Sequence, residues 1–120
     1  MHNADKLRAA DAALDLAMSV YDYTADFPRE ELYGLTSQMR RAAVSVGSNI
    51  YEGCSRQTDK GLVASLYVAH GETGELLFQL RFSACRKYGR SEFWRATRRE
   101  LLGMRRMLER MIRYYERGAE

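Results

Sequence analysis

Arginine residues recur near the C-terminal end of the chain at spacings that would align them along one helix. If Trp94 takes heptad position a, these arginines fall at positions c, e and f, away from the apolar positions a and d. They are Arg98, Arg99, Arg105, Arg106, Arg110, Arg113 and Arg117, and we call this set the arginine ridge. A planar guanidinium group binds phosphate or carboxylate oxygens in a bidentate manner. The ridge is therefore a candidate surface for the phosphate backbone of RNA or DNA.

A second interpretation pairs the arginine ridge with carboxylates. The N-terminal region is rich in aspartate, with Asp5, Asp11, Asp15 and Asp22. The first and last helices of a bundle are often neighbours, so these acids could meet the ridge within one chain or between subunits. Glu109 is also four residues from Arg105 and from Arg113, a spacing that favours ion pairs along a helix. Both interpretations stay open at the level of sequence.

A polar stripe forms a second candidate site. Gln38, Arg41, Ser45, Ser48 and Glu52 recur at intervals of three and four residues, flanked by Arg40 and Asn49. Two arginines early in a helix oppose its macrodipole, so a carboxylate outside the helix should offset them. Glu75 and the Glu30–Glu31 turn are the candidates. We predict a subunit interface or a buried hydrogen-bond network here; a solvent face and a small-ligand site are the alternatives.

The residue types that build catalytic and metal sites are sparse and ungrouped. His2 and His70 are the only histidines, and neither belongs to the Glu-x-x-His pairs of di-iron bundles. Zinc-ligand spacing and glycine-rich phosphate loops are absent. The sequence therefore predicts no catalytic residue, no metal, no cofactor and no enzymatic activity.

The remaining composition indicates an intracellular globular protein. The chain has 120 residues and a formal net charge of +3. No segment approaches the ~20 apolar residues that span a bilayer, and no secretory signal precedes the first helix. We therefore expect a cytoplasmic protein without membrane contact, in which Cys54 and Cys85 are free thiols.

Four amphipathic segments must position these side chains. Capping residues, glycines and a single proline, Pro28, divide the chain into helices at about 3–24, 36–52, 59–88 and 92–117. Apolar residues at intervals of three and four favour shallow packing between antiparallel neighbours. The sequence thus predicts one all-α domain over residues 1–120, an antiparallel up-down-up-down four-helix bundle.

The same spacing predicts which faces are buried. For the first helix the predicted inner face is Leu7, Ala10, Leu14, Ala17 and Tyr21. For the second it is Leu35, Met39, Ala42, Val46 and Ile50. For the third it is Leu62, Leu66, Ala69, Thr73, Leu76 and Leu80, widened by Leu77, Phe78 and Phe82. For the fourth it is Trp94, Thr97, Leu101, Met104, Leu108, Met111 and Tyr115. Small residues such as Gly47 and Gly71 are expected where two helices approach closely, so that leucine at position 71 should unfold or disassemble the protein.

Residues 27–53 carry the most specific motif, FPREELYGLTSQMRRAAVSVGSNIYEG. Further on, Gly71, Gly74, Glu75 and Gln79 stand among apolar residues of the third helix. Together these segments resemble the four-helix-bundle proteins named after intervening sequences in 23S ribosomal RNA genes. The resemblance covers most of the chain and is weakest in the first and fourth helices.

That resemblance implies a cytosolic bundle that assembles into a homo-oligomer, with ring-shaped pentamers as the typical form. The family has no established biochemical activity. A related group, the accessory proteins of diversity-generating retroelements, implies that basic surfaces of such bundles contact nucleic acid.

Overall fold

The structure is a computed structural model that describes residues 3–118. Its helices are α1 (Asn3–Thr24), α2 (Leu35–Cys54), α3 (Asp59–Cys85) and α4 (Ser91–Glu116). A short 3-10 turn, Arg29–Glu31, lies between α1 and α2. No strand occurs among the described residues, and the molecule measures 47 × 23 × 19 Å. The predicted all-α class is confirmed.

Each helix packs against its neighbours in the sequence, and the last helix also packs against the first. α2 lies between α1 and α3, and α4 closes the bundle by packing against both α3 and α1. Diagonal helices do not approach each other within the described range. The architecture is therefore the predicted antiparallel up-down-up-down bundle, with α1 and α4 as neighbours.

The helix ends lie within two residues of the prediction except at the end of α3. α2 runs from Leu35 to Cys54 rather than over 36–52, and the Leu35 N–H donates to the Glu31 carboxylate at 3.1 Å. α3 begins as predicted, with the Thr58 hydroxyl accepting from the Gly61 N–H at 3.1 Å. It ends at Cys85 rather than residue 88, because Lys87 adopts a φ of 62°, outside the helical region.

The inner faces of α2 and α4 are buried as predicted. Met39, Val46 and Ile50 of α2 are fully buried, and Leu35 at the start of the face is half-buried. In α4, the residues from Thr97 to Tyr115 that follow the 3–4 spacing are buried, and Trp94 is half-buried with its indole N–H donating to the Leu80 carbonyl at 3.0 Å. The other faces of α4 are polar, and α2 has only Val44 and Tyr51 as large apolar residues outside its buried face, so the 3–4 spacing identified the inner face of both helices.

For α1 the predicted inner face is wrong at three of its five positions. Leu7, Leu14 and Tyr21 are exposed, with 62% of Leu14 accessible. Ala10 is buried and Ala17 packs half-buried against the core, whose other members from α1 are Ala9, Ala13, Leu16, Val20 and Tyr23. α1 carries two apolar stripes, and the one with smaller side chains faces the core because it permits close packing on α2. A Cβ added to Gly47 of α2 would lie 3.5 Å from the Ala13 Cβ, in ordinary van der Waals contact.

The prediction for α3 is correct for the core and for Leu77, which packs half-buried against it, and wrong for the other two residues of its extension. The six residues from Leu62 to Leu80 are buried, but Phe78 and Phe82 are 68% and 43% exposed. Gly71 also points away from the core: a Cβ there would have no atom of this chain within 4 Å. Because leucine would therefore meet no neighbour, the expectation that Gly71→Leu unfolds the chain is withdrawn.

Candidate nucleic-acid interface

The side of α4 opposite the core is lined with arginine. Arg99, Arg106, Arg110 and Arg113 of the arginine ridge are exposed there. Arg95, which the sequence analysis missed, and Arg117 extend the row, since 95, 99, 106, 110, 113 and 117 share one side of a helix. The row is about 33 Å long at 1.5 Å per residue. We call these six residues the α4 outer face.

Arg105 does not belong to this surface. It is half-buried between α3 and α4, and its Nη1 donates to the Thr73 hydroxyl at 2.9 Å. Thr73 itself is fully buried and donates to the His70 carbonyl at 2.6 Å. The heptad assignment placed Arg105 at position e beside the core, and that position faces α3 here.

Arg98 lies at the edge of the surface. It is exposed, and its guanidinium carbon is 6.0 Å from the centre of the Trp94 ring, a cation–π distance. It borders a groove against Arg81 of α3. Arg98 therefore remains accessible, but on the α3 side of the α4 outer face.

Three carboxylates of α4 contact residues that do not belong to its outer face. Glu92 pairs with Arg90 at 3.3 Å, and Glu100 accepts a hydrogen bond from Ser19 of α1. Glu116 accepts from the Tyr67 hydroxyl at 2.7 Å. Because these contacts hold the acidic groups toward neighbouring residues, they leave the outer arginines without a salt bridge within 4.0 Å among residues 3–118.

Glu109 is the fourth carboxylate of α4, and it contacts α3. Its Oε2 lies 2.9 Å from Nε2 of His70. The hydrogen bond to His70 holds the pKa of the Glu109 carboxyl below its ordinary value, with smaller contributions from the charges of His70, Arg105 and Arg113. As predicted, Arg105 and Arg113 lie near enough to Glu109 to act on it, but they contribute only weakly to the lowered pKa of its carboxyl.

The acidic residues of α1 do not neutralise this surface within the chain. Asp11, Asp15 and Asp22 are exposed, and none lies within 4.0 Å of an α4 arginine in the described range. Asp5 forms an ion pair with Arg8. Pairing of these aspartates with arginines of another subunit is still an alternative.

The polar stripe of α2 separates into two parts. Arg40 points toward the C-terminal end of α1, where its Nε donates to the Thr24 hydroxyl at 2.9 Å and its guanidinium carbon lies 4.4 Å from the Tyr21 ring centre. The negative end of the α1 macrodipole lies there and offsets the Arg40 charge. At the start of α2, Glu31 supplies the carboxylate that the sequence led us to expect.

The other part of the stripe faces α3. Asn49 Nδ2 donates to the Ser45 hydroxyl at 3.1 Å, and Ser45 lies near the Glu72 carboxyl of α3. Partial burial and the nearby Glu75 raise the pKa of the Glu72 carboxyl, while Ser45 and Arg41 act in the opposite direction. Glu75, Gln38, Arg41, Ser48 and Glu52 are exposed, the last beside Arg56. The stripe is therefore not a buried network, and its role as an interface remains a prediction.

Features of other functional classes are limited in the described part of the chain. No group of three or more His, Cys, Asp or Glu residues could hold a metal ion there. Cys54 and Cys85 are free, as predicted. Partial burial raises the pKa of the Cys54 thiol. No helix among residues 3–118 has the length and apolarity to cross a membrane.

Comparisons with known proteins agree on the fold and leave the activity undefined. The sequence model of the 23S rRNA-intervening sequence proteins matches residues 5–110. A crystal structure of a protein with unknown function from the S23 ribosomal protein family of Bacteroides thetaiotaomicron superposes with a TM-score of 0.79 at 19% identity. The superposition covers 91% of this chain and 98% of that one. No curated protein has a significantly similar sequence.

Proposed function

The chain belongs to the 23S rRNA-intervening sequence protein family, a family of uncharacterised function, and we propose that it is a non-enzymatic homo-oligomer that binds the phosphate backbone of RNA or DNA through the α4 outer face. The resemblance to this family supports a ring, with a pentamer as the expected form. The binding surface is argued from this chain's own residues.

One observation carries the proposal: a row of arginines about 33 Å long that forms no salt bridge within 4.0 Å among residues 3–118. Exposed arginines that form no salt bridge keep their charge available for phosphate, and the guanidinium group offers two parallel donors. Between Arg99 and Arg106, the row contains the half-buried Leu102 and Gly103 rather than an aromatic platform. Contact with the backbone rather than stacking on bases is therefore expected, and with it little sequence preference.

Assembly would strengthen this binding. When one particle carries several copies of the α4 outer face, binding of nucleic acid to the first copy holds it close to the others. Binding to those copies is then intramolecular, which raises the overall affinity although each copy makes the same contacts as before. If each copy made about four phosphate contacts, affinity should fall about a hundredfold between 50 and 200 mM salt.

The test compares two triple variants with the same change of charge. Arg99, Arg106 and Arg113 are replaced by glutamate in the first, and Arg29, Arg56 and Lys60, which are exposed elsewhere, in the control. Binding to a labelled 30-nucleotide RNA and to duplex DNA is measured by fluorescence anisotropy across a salt series. Light scattering reports particle size. We expect the first variant to lose binding at unchanged size, and the control to keep most of it.

Three results would contradict the proposal. If the wild-type protein binds neither the RNA nor the DNA at 50 mM salt, it does not have the proposed function. Equal loss in both variants would mean that net charge, not the α4 outer face, is responsible. Loss of binding together with disassembly in the first variant alone would favour a structural role, in which the arginines pair with aspartates between subunits.

A further inference from the structure

Two apolar surfaces remain uncovered on this chain, on different sides of the bundle. The first, which we call the α1–α2 face, consists of Leu7, Leu14, Met18, Tyr21, Val44 and Tyr51. The second, the α3 stripe, follows the 3–4 spacing along the outer side of α3 and consists of Ala64, Val68, Gly71, Glu75, Phe78 and Phe82. None of the large apolar side chains exposed between residues 3 and 118 lies on α4.

We propose that copies of this chain join head to tail, with the α3 stripe of one copy seated in the groove of the α1–α2 face of the next. The proposal rests on the self-association put forward above and identifies the surfaces that produce it. Because the two surfaces differ, each copy has one of each to offer, and the contact repeats from copy to copy. A heterologous contact of this kind closes into a ring when its rotation permits.

The shapes of the two surfaces are complementary. Between α1 and α2 runs an open groove of about 460 Å³, lined by small residues such as Ala10, Ala17 and Gly47 and bordered by Leu14 and Tyr51. It shares Val44 and Ser48 with a second groove of about 700 Å³, so the depression continues along α2. The α3 stripe is instead convex and has aromatic side chains at one end. A helix laid in a groove uses anchors at this 3–4 spacing.

The charges are complementary as well. The α3 stripe contains one charged residue, Glu75, with Glu72 beside it. The continuation of the groove along α2 is lined by Arg40 and Arg41. Partial burial and, to a smaller extent, repulsion from Glu75 raise the pKa of the Glu72 carboxyl, and an arginine from the next copy would reduce that repulsion.

The α3 stripe sets the size of the contact. From Ala64 to Phe82 it is about 27 Å long, and a helix with its side chains is about 11 Å wide, so its projected area is about 300 Å². A standard interface buries about 800 Å² per partner, so the contact must extend onto the flanks of α3, as it does when a helix is seated between the two walls of a groove.

Gly71 gives independent support. A glycine inside a helix lowers stability by about 1 kcal/mol relative to alanine, and nothing in this chain lies within 4 Å of the position of its missing Cβ. The backbone of Gly71 is therefore exposed at the middle of the α3 stripe. A neighbouring copy that approaches α3 closely at this point would account for it.

The arrangement is compatible with nucleic-acid binding. α4 packs against α1 and α3 and lies diagonally across the bundle from α2. A copy contacted through its α1–α2 face and its α3 stripe keeps the α4 outer face accessible.

Two single substitutions test the head-to-tail contact. Leu14→Glu places a charge in the α1–α2 face, and Phe78→Glu places one in the α3 stripe; both positions are exposed in the chain, so the bundle itself should fold. Each variant alone should sediment as a monomer, because every contact needs one of each surface. An equimolar mixture should form a 1:1 dimer, since the intact α3 stripe of the first variant fits the intact α1–α2 face of the second. Ala84→Glu, exposed on the α4 side of α3, should assemble as the wild type does.

The outcomes separate this inference from the proposed function. If both variants assemble as the wild type does, the surfaces are wrong but self-association stands. If each variant alone forms dimers, like surfaces pair with like, and the head-to-tail contact is refuted; a mixture that stays monomeric also refutes it. A monomeric wild type removes self-association and with it this inference, while nucleic-acid binding is decided by the anisotropy experiment. Met18→Glu and Val68→Glu repeat the test if circular dichroism shows either first variant unfolded.

Discussion

The outer side of α4 and the outer side of α1 are both exposed, yet their side chains are chemically opposite. α4 presents arginines, and α1 presents Leu7, Leu14, Met18 and Tyr21. An arginine is almost never buried without a partner, so a charged row fixes which way a helix faces. Leucine is common in cores and also at interfaces, so an apolar row does not. The difference teaches that only one of the two surfaces could be oriented from sequence.

The largest expected effect contrasts the two apolar stripes of α1. Leu16 is fully buried and Leu14 is exposed. Leu16→Ala should lower the free energy of unfolding by about 2–5 kcal/mol through lost burial and a residual cavity. Leu14→Ala should change it by less than about 0.5 kcal/mol. Urea titrations on chains diluted to the monomer would measure both, and a larger loss for Leu14→Ala would mean that α1 is rotated from the arrangement described.

The next contrast lies within α4, between adjacent arginines. Arg105→Ala removes the hydrogen bond to the buried Thr73 hydroxyl and should cost about 1–3 kcal/mol of stability, with little change in nucleic-acid binding. Arg106→Ala should leave stability unchanged but lower the slope of log affinity against log salt by about 0.9, the share of one phosphate contact.

Both variants would be followed by urea titration and by anisotropy in a salt series. If Arg105→Ala instead changed the salt slope and Arg106→Ala did not, the α4 outer face would have to include the side turned to α3.

The smallest effect concerns the contact between α4 and α3 at low pH. The folded-state pKa of the Glu109 carboxyl is below its ordinary value of 4.5, chiefly because of the hydrogen bond to His70. Its contribution to stability is therefore complete above that ordinary value and is lost as the pH falls through the lowered one. Glu109→Gln should remove this part of the acid dependence between about pH 5 and about pH 3.

Urea midpoints over that pH range would measure it, with Glu92→Gln on the same helix as the control. If the urea midpoint changed with pH in the same way for the wild type and for Glu109→Gln, the contact with His70 would not contribute to the pH dependence of stability. The effect should be small because the Glu109 side chain is 43% exposed.

How far the sequence could predict the molecule depended on how many apolar stripes a helix carries. α4 carries one continuous apolar stripe, and α2 carries one beside only two exposed large apolar residues, so residues such as Leu101 and Ile50 are buried as predicted. α1 and α3 each carry two apolar stripes, so Leu14 and Phe78 were assigned to the core on their spacing, although they face outward. Among the arginines, Arg95 was missed because only positions c, e and f were assigned to the ridge and it falls at position b, and Arg105 was misplaced because position e borders α3.

The small side chains on the inner stripe of α1 also determine which arrangement of the helix has the lowest energy. Turning α1 by about a third of a turn would bring its other apolar stripe inward, a competing minimum with a comparable hydrophobic gain. Leucine and methionine would then have to fit where Ala9 and Ala13 lie, against an α2 backbone that leaves room for little more than a methyl group near Gly47. Overpacking of this kind destabilises a core by about 1–3 kcal/mol. Ala9 and Ala13 thereby help to prevent α1, which has two apolar stripes, from packing with the wrong stripe against the core.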